Sequence, residues 1–318
     1  MSCNVLITSV SAKISCVKNV KAGLQRVFPE GKVWGADVDP TCLGRHFTDY
    51  FWHMPRLDDL TTEGLVRFCK ENDINTIIPT RDGELLYFAR CKNELLENGI
   101  HTMISCADCI EICLDKIKFS ERMLELGYPA IRSYTSPEAC PEDRLVQKNR
   151  FGAGSADIKI NVSKTEITTQ QEDAIYQPYI KGEEFSIDVF TAGSAMPEGA
   201  IVRRRDKVVN GESQITTAVD EPELAKLCLE ASKEIGIYGH SVWQALKDEQ
   251  GNYNIIECNS RIGGASSLSL AMGLDSFYWF FVQASGKKTA DLKFTRHPEN
   301  LKQIRAPKDV IQPANTCI

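Results

Sequence analysis

Residues 255–264 read IIECNSRIGG. Two isoleucines suit a buried strand, yet Glu257, Asn259 and Arg261 then take every second position. Alternate residues of a strand share a face, so an acid, an amide and a guanidinium line up on one side. A strand-like run, SVWQAL, comes just before, with KDEQ between the two. With Gln250–Gly251 as a two-residue turn, glycine supplying the positive φ, Leu246 lies opposite Ile255 and Gln244 opposite Glu257. Directly opposed residues hold their Cβ atoms about 4.5–5.5 Å apart. Three oxygen-bearing side chains, Gln244, Glu257 and Asn259, then converge at one strand end. Hard cations, Mg²⁺ above all, suit such donors. One carboxylate does not neutralise a divalent ion, so phosphates would supply the missing charge. A half-exposed polar strand end accounts for the same residues equally well.

Three further stretches could do chemistry. In VQKNRFGAGSADIKI a strand delivers Lys148, and Gly152, Ala153, Gly154 and Ser155 follow as a loop of small residues. Its N–H groups can wrap phosphate oxygens, and Lys148 adds a point charge. It lacks the GK[ST] of a Walker A loop, and a simple turn also explains it. In IYQPYIKGEEFSIDVF, Pro178 rules out a central strand. The segment Gln177, Pro178, Tyr179, Ile180 suits a hinge whose free backbone groups bind the edge of an adenine, with Glu184 accepting from ribose hydroxyls. Read alone, an ordinary surface turn is the better account. Finally, Lys116 starts a helical stretch, and IVRRRDK alternates Arg203 and Arg205 on one strand face. Phosphate binding and a solvated strand face are equally open there.

These residues need positioning elements. The first ~115 residues alternate strand and helix patterns, as in an open parallel sheet. Strands are expected at Val5–Val10, Lys32–Ala36, Tyr50–His53, Thr76–Pro79 and Thr102–Ser105, and helices at Lys18–Val27, Leu65–Glu71 and Leu85–Asn98. The first strand runs into TSVSAKIS, without the glycines that let a backbone approach a pyrophosphate. Asp37 and Asp39 alone do not make a dinucleotide site. IIPTRDGEL sets Arg81, Asp82 and Glu84 beyond a strand's carboxyl end, where open sheets bind ligands. After a helix at Asp115–Leu126 the grammar changes to short strands: Leu145–Lys148, Ile158–Ile160, Ala174–Gln177, Phe185–Phe190 and Ala200–Arg205. An antiparallel α+β lobe follows from this. Helices are expected at Glu221–Ile235 and Ser269–Ala284, before a basic, loosely ordered tail.

The chain has 318 residues, 42% hydrophobic and 25% charged, enough for two or three domains. A net charge of -6 argues against nucleic-acid binding. MSCNVLITSV has no basic n-region, and no apolar run reaches membrane-spanning length, so a cytoplasmic location is expected. The 12 cysteines read as reduced, mostly buried thiols. In SCADCIEIC, Cys106, Cys109 and Cys113 lack a second metal half-site and read as one face of a short helix.

Together and in this order, the four elements resemble the ATP-grasp superfamily. The likeness is strongest to its carbamoyl-phosphate-synthase-like and amino-acid-ligase branches, which include the pyrrolysine-pathway ligase and resemble D-alanine–D-alanine ligase. The most specific part is Gln244 with Glu257-x-Asn259-x-Arg261 and the glycines after it. The resemblance implies a pre-ATP-grasp domain over 1–115, a small lobe with entry helix and nucleotide linker over 116–190, a large lobe with the metal site over 191–290 and a tail over 291–318. It implies ATP and Mg²⁺ (or Mn²⁺) as cofactors. Lys116 and Lys148 become the phosphate lysines, and Gly152 to Ser155 the loop over the β- and γ-phosphates. Gln177 to Ile180 become the adenine linker, Glu184 the ribose ligand, and Gln244, Glu257 and Asn259 the metal ligands. Arg261, with Arg203 or Arg205, becomes the clamp on the transferred phosphoryl group.

The implied reaction is ATP-dependent carboxylate–amine ligation through an acyl phosphate, with a small acid and an amine as substrates, and a homodimer as one assembly. Gln244 stands where many ligases have an acid, as in carbamoyl-phosphate-type synthases. The segment NVSKTEITTQQED is short, and there is one grasp unit, so full carbamoyl phosphate synthesis is not expected. A non-catalytic ATP-binding subunit or sensor and a carbamate or carboxy-phosphate kinase stay open.

Overall fold

The computed structural model describes residues 3–152, 158–167, 173–193, 196–287, 289 and 291–311. The chain begins β1 (Asn4–Thr8), α1 (Ile14–Val27), β2 (Val33–Asp37), β3 (Tyr50–His53), α2 (Thr62–Glu71), β4 (Ile74–Ile78), α3 (Asp82–Glu97) and β5 (His101–Thr102). These strands form a parallel sheet in the order β3-β2-β1-β4-β5. Val5, Leu6 and Ile7 are fully buried in succession. Such a run is what a strand covered on both faces requires. Val5 and Ile7 pack with α1, and Leu6 packs with the core of α2 and α3. The strand order reverses between β1 and β4, so the loops after them part and leave a crevice at their carboxyl ends.

Next come α4 (Ala107–Leu114), α5 (Lys116–Glu125), β6 (Arg144–Asn149), β7 (Lys159–Ser163) and β8 (Ala174–Pro178). The three strands form an antiparallel sheet, β7-β6-β8. Pro178 closes β8, an edge strand, where its missing N–H is tolerated. Then follow β9 (Gly182–Thr191), β10 (Gly199–Val209), β11 (Glu212–Ala218), α6 (Pro222–Glu234), β12 (Gly239–Asp248), β13 (Tyr253–Asn259), α7 (Ser267–Ala271), α8 (Ser276–Ala284) and β14 (Lys302–Ile304). Their six strands run β13-β12-β9-β10-β11-β14, all antiparallel. Phe185, Ile187, Trp243 and Ala245 bury one face of this sheet against α6 and α5. The other face carries Glu184, Ser186, Asp188 and Gln244, which alternate with those residues along β9 and β12. The architecture is therefore the expected parallel domain followed by antiparallel lobes.

Two expectations need correction. The helix expected over Ser269–Ala284 is two helices, because Gly273 takes φ +102 and ends α7. A Cβ there would meet the Thr295 carbonyl oxygen at 2.1 Å, so only glycine fits. The tail is not wholly loose: Lys302–Ile304 pairs with β11 as an edge strand. The last helix, α8, is apolar almost all round, with Phe277, Trp279, Phe280 and Phe281 buried. It meets α1 at Gly23, where a Cβ would come within 2.9 Å of Phe277 Cβ. Glycine inside a helix costs about 1 kcal/mol against alanine. Here it lets two backbones approach and joins the C-terminal part to the parallel sheet.

Candidate active site

The hairpin brings Gln244 opposite Glu257, and Val242 opposite Asn259. It does so by a route the sequence did not suggest. The turn has three residues: Asp248 N–H bonds the Asn252 carbonyl, and Gly251 sits at φ +88. Near the turn Ala245 therefore pairs with Ile255 and Leu246 with Asn254, not Leu246 with Ile255. A bulge at Ile256 then shifts the register by one residue. The shift keeps Ile255 and Cys258 in the core and turns Glu257 and Asn259 onto the opposite face with Gln244. Asn259 Nδ2 donates to Glu257 Oε1 at 3.2 Å. The Gln244 side chain makes no hydrogen bond among the described residues.

Cations gather around this acid. Asp115 caps α5, accepting from Ile117 and Lys118 N–H groups, and grips Arg150 through two bonds of 2.9 and 2.6 Å. That pair ties the start of α5 to the loop after β6. Lys116 is thereby held with Nζ 2.7 Å from the Gly152 carbonyl oxygen and 3.8 Å from Glu257 Oε2. Lys148 is 6% exposed. Its ammonium has no hydrogen bond or ion pair within 4 Å among the described residues. Burial draws its pKa down to about 8; Glu257 raises it, and Lys116 lowers it further. A narrow cleft opens here, lined by Asp82, Lys116, Gly152, Glu257, Asn259 and Ser260 among others. Gly154 and Ser155 lie outside the described residues.

The linker residues are placed unevenly. Gln177 is buried, and its Nε2 donates to Ser133 Oγ at 3.0 Å and the Ile131 carbonyl at 3.3 Å. Its side-chain nitrogen is thus already engaged. Tyr179 N–H bonds the Arg144 carbonyl at 2.9 Å. Glu184 pairs with Arg205 at 3.0 Å. Burial raises the Glu184 pKa, and the Arg205 charge opposes the rise. Arg205 also donates to Ser186 Oγ and the Gly211 carbonyl. Arg203 is 2% exposed and donates Nε to Asp188 Oδ2 at 2.5 Å. Its Nη1 is buried without a hydrogen-bond partner among the described residues.

Two features escaped the sequence. Asp188, fully buried, accepts from Arg203, His240, Ser266 and Ser269. It ties β9, β10 and β12 to the segment after Arg261. Burial would raise its pKa, but the Arg203 charge and the His240 and Ser266 hydrogen bonds hold it well below the usual carboxylate range. Nothing in FSIDVF separates this acid from a solvated one. The second is the grip of Arg261 on Asp82, with Nε–Oδ1 2.6 Å and Nη2–Oδ2 2.7 Å. The crevice of the parallel sheet is thus joined to the strand end that carries Glu257 and Asn259.

A family model described as PylC-like, N-terminal domain matches residues 5–104. A second, described as ATP-grasp in the biosynthetic pathway with Ter operon, matches residues 170–307. The chain thus carries an ATP-grasp match over its C-terminal part, behind a PylC-like N-terminal domain. Among curated relatives, the 2-oxoglutarate carboxylase small subunit of Hydrogenobacter thermophilus is 26% identical over 251 residues, 71% of this chain and 49% of that protein. The chain thus spans about half the length of that relative. The biotin carboxylase domain of the same organism's 2-oxoglutarate carboxylase, solved as a dimer with MgADP, ADP and bicarbonate, superimposes with a TM-score of 0.73 at 19% identity. The match covers 94% of this chain and 73% of that one. N5-carboxyaminoimidazole synthetase from Staphylococcus aureus, complexed with ADP, gives 0.71 at 13% identity, covering 90% and 78%. Among the described residues no helix is long and apolar enough to cross a membrane.

Proposed function

We propose that this chain is an ATP-dependent carboxylate–amine ligase that joins a small acid to an amine and releases ADP and phosphate. The observation that carries the reading is Lys148: a buried ammonium with no hydrogen bond or ion pair within 4 Å among the described residues, beside a second lysine and under the influence of the Glu257 and Glu184 carboxylates. A buried charge is costly unless paired, and an anionic phosphate chain supplies the pairing. Crystal complexes of related proteins with ADP support a nucleotide in this cleft.

The donor set fits Mg²⁺. Gln244 offers an amide oxygen that has no hydrogen bond among the described residues, Glu257 a carboxylate, and Asn259 an amide that can turn its oxygen inward. All are hard oxygen donors, and one carboxylate leaves charge for phosphates to supply. When bound, the ion would neutralise phosphate charge and hold the reacting groups in line. Lys116 and Lys148 bind and orient the phosphates. The Gln177–Ile180 backbone takes the adenine edge, and Glu184 the ribose. Arg261 receives the acid and holds it as an acyl phosphate until the amine attacks. Of the other two arginines, Arg203 has a spare donor, Nη1, whereas Arg205 is engaged by Glu184. No side-chain nucleophile is required.

The test is ADP and phosphate release with pools of acids and amines. Turnover must depend on an acid–amine pair and fall in Glu257→Gln; pair-independent or unaltered hydrolysis would overturn the reading. A second reading takes bicarbonate as the acid, because the thermophilic relative was solved with it. Bicarbonate-dependent hydrolysis without an amine would favour that one. A homodimer is part of the proposal, supported by that relative's dimer and checked by sedimentation.

A further inference from the structure

Three cysteines at α4 take no part in the proposed reaction. Cys109 and Cys113 lie on the buried face of the helix, whereas Cys106 is exposed. Cys106 is the N-cap, with extended backbone at φ -67 and ψ 163, and its side chain makes no capping hydrogen bond. Cys109 is then the third residue of the helix. An N-cap side chain turns back over the first turn, toward the N–H groups of the second and third residues. The uncommitted thiol of Cys106 is thus carried toward the thiol of Cys109. The other spacing differs. Cys109 and Cys113 stand four residues apart within the helix, where Cβ atoms lie about 5–6 Å from each other. A disulfide needs roughly 3.5–4.5 Å.

The surroundings suit thiol chemistry. A helix N-terminus and a neighbouring ammonium both favour the thiolate, the reactive form of cysteine. Lys92 reaches over from α3, its Nζ 2.7 Å from the Ile104 carbonyl oxygen and 4.3 Å from the Tyr238 ring centroid. Burial lowers the Lys92 pKa, and Cys106 and Cys109 oppose the drop, so this one cation serves both sulfurs. A hydrogen bond with Cys113, and burial, raise the Cys109 pKa, while Ser105 and Lys92 act against the rise. Cys109 therefore waits as a protonated thiol, 1% exposed, behind an exposed partner. An external disulfide can reach the first sulfur and not the second.

We propose that Cys106 and Cys109 are a redox-active pair that exchanges with small-molecule disulfides. The Cys106 thiolate attacks one sulfur of a disulfide RSSR. The S–S bond breaks, RS⁻ leaves, and Cys106 carries a mixed disulfide. Cys109 then attacks the Cys106 sulfur, its proton passing to a departing thiolate, and the second RS⁻ leaves. A Cys106–Cys109 disulfide remains. Two protein thiols are oxidised, RSSR is reduced to two RSH, and the protons of both cysteines end on those two products. The inference stands apart from the ligase reading, and its test needs neither nucleotide nor substrate.

The test incubates the reduced full chain with oxidised glutathione, against varied amounts of reduced glutathione. Quenching by alkylation and cleavage after lysine leaves all three cysteines on one peptide, residues 93–116. Mass spectrometry should show that this peptide has lost two thiols to a Cys106–Cys109 disulfide and kept the thiol of Cys113. Excess reduced glutathione should restore both. Cys106→Ser should leave the peptide reduced, and Cys109→Ser should stop with one glutathione held on Cys106. Because Cys109 is buried, its variant is read only where its melting midpoint stays near the parent's; the peptide from the unmodified chain decides by itself. Three results there would overturn the inference: a peptide that stays reduced when oxidised glutathione is in large excess, a glutathione adduct that persists on Cys106, or a disulfide that joins any other pair.

Discussion

Lys116 Nζ stands 3.8 Å from Glu257 Oε2, with the two side chains 8% and 17% exposed. Glu257 is thus the negative charge that two buried lysines share. Glu257→Gln keeps the shape and removes that charge. Metal-dependent nucleotide affinity should fall at least about 10-fold, the scale of losing even an outer partner of a metal. Glu249→Gln, on an exposed pair with Lys181, should leave affinity unchanged. Calorimetry with and without Mg²⁺ reads both.

Lys148 should give the protein a distinctive alkaline profile. Its folded pKa, about 8, lies below the roughly 10.4 of an unfolded lysine. Between those values the unfolded chain binds more protons than the fold, so stability rises with pH across the window. Below it, the fold carries the whole cost of the buried charge. Thermal melts of the ligand-free protein should show the rise, and Lys148→Met should flatten it. Nucleotide phosphates should draw the proton back. Binding near pH 8.5 should then take up protons, seen as a heat that depends on the buffer's ionisation enthalpy. A buffer-independent heat would contradict the assignment of Lys148 to phosphate.

The order of strands and helices was legible in the sequence because hydrophobic periodicity reports it directly. The pairing of Gln244 with Glu257 was legible for an incomplete reason. A two-residue turn and a three-residue turn followed by a bulge give the same register beyond Gln244. The sequence cannot tell them apart, because Ile256 looks like any strand residue. Asp188 and Arg203 were hidden differently. Their partners come from separate strands and from the segment after Arg261, and pattern along one strand carries no such information. The grip of Asp82 on Arg261 depends on how two domains meet, which neither local stretch encodes.

Asp188 should be a stability residue. Asp188→Ala would leave Arg203, 2% exposed, without its ion pair, and breaking a buried pair costs about 3–5 kcal/mol. Urea unfolding should show a loss on that scale. Replacing the pair together, Asp188→Leu with Arg203→Met, should cost less than Asp188→Ala alone. The depressed pKa of Asp188 carries a sign as well. Its contribution is present above the unfolded value near 4 and is lost as pH falls through the folded value, so Asp188→Asn should be less sensitive to acid than the parent.

Gly263 should matter to activity through its neighbour and not through its φ angle, which is not positive. A Cβ there would come within 3.0 Å of Val242 Cγ2 and 3.1 Å of Ser266 Oγ. Val242 is buried directly opposite Asn259, and Ser266 is held by Asp188. Neither can yield freely, so Gly263→Ala should push the chain after Arg261 away from the face that carries Glu257 and Asn259. Overpacking of this kind costs about 1–3 kcal/mol, while the displaced guanidinium should lower turnover more than stability. Val242→Ala opens the space that the new methyl needs. The double variant should recover much of the lost turnover, although Val242→Ala alone brings no gain. Failure of that rescue, measured as ADP release alongside unfolding midpoints, would show that Gly263 serves the substrate directly.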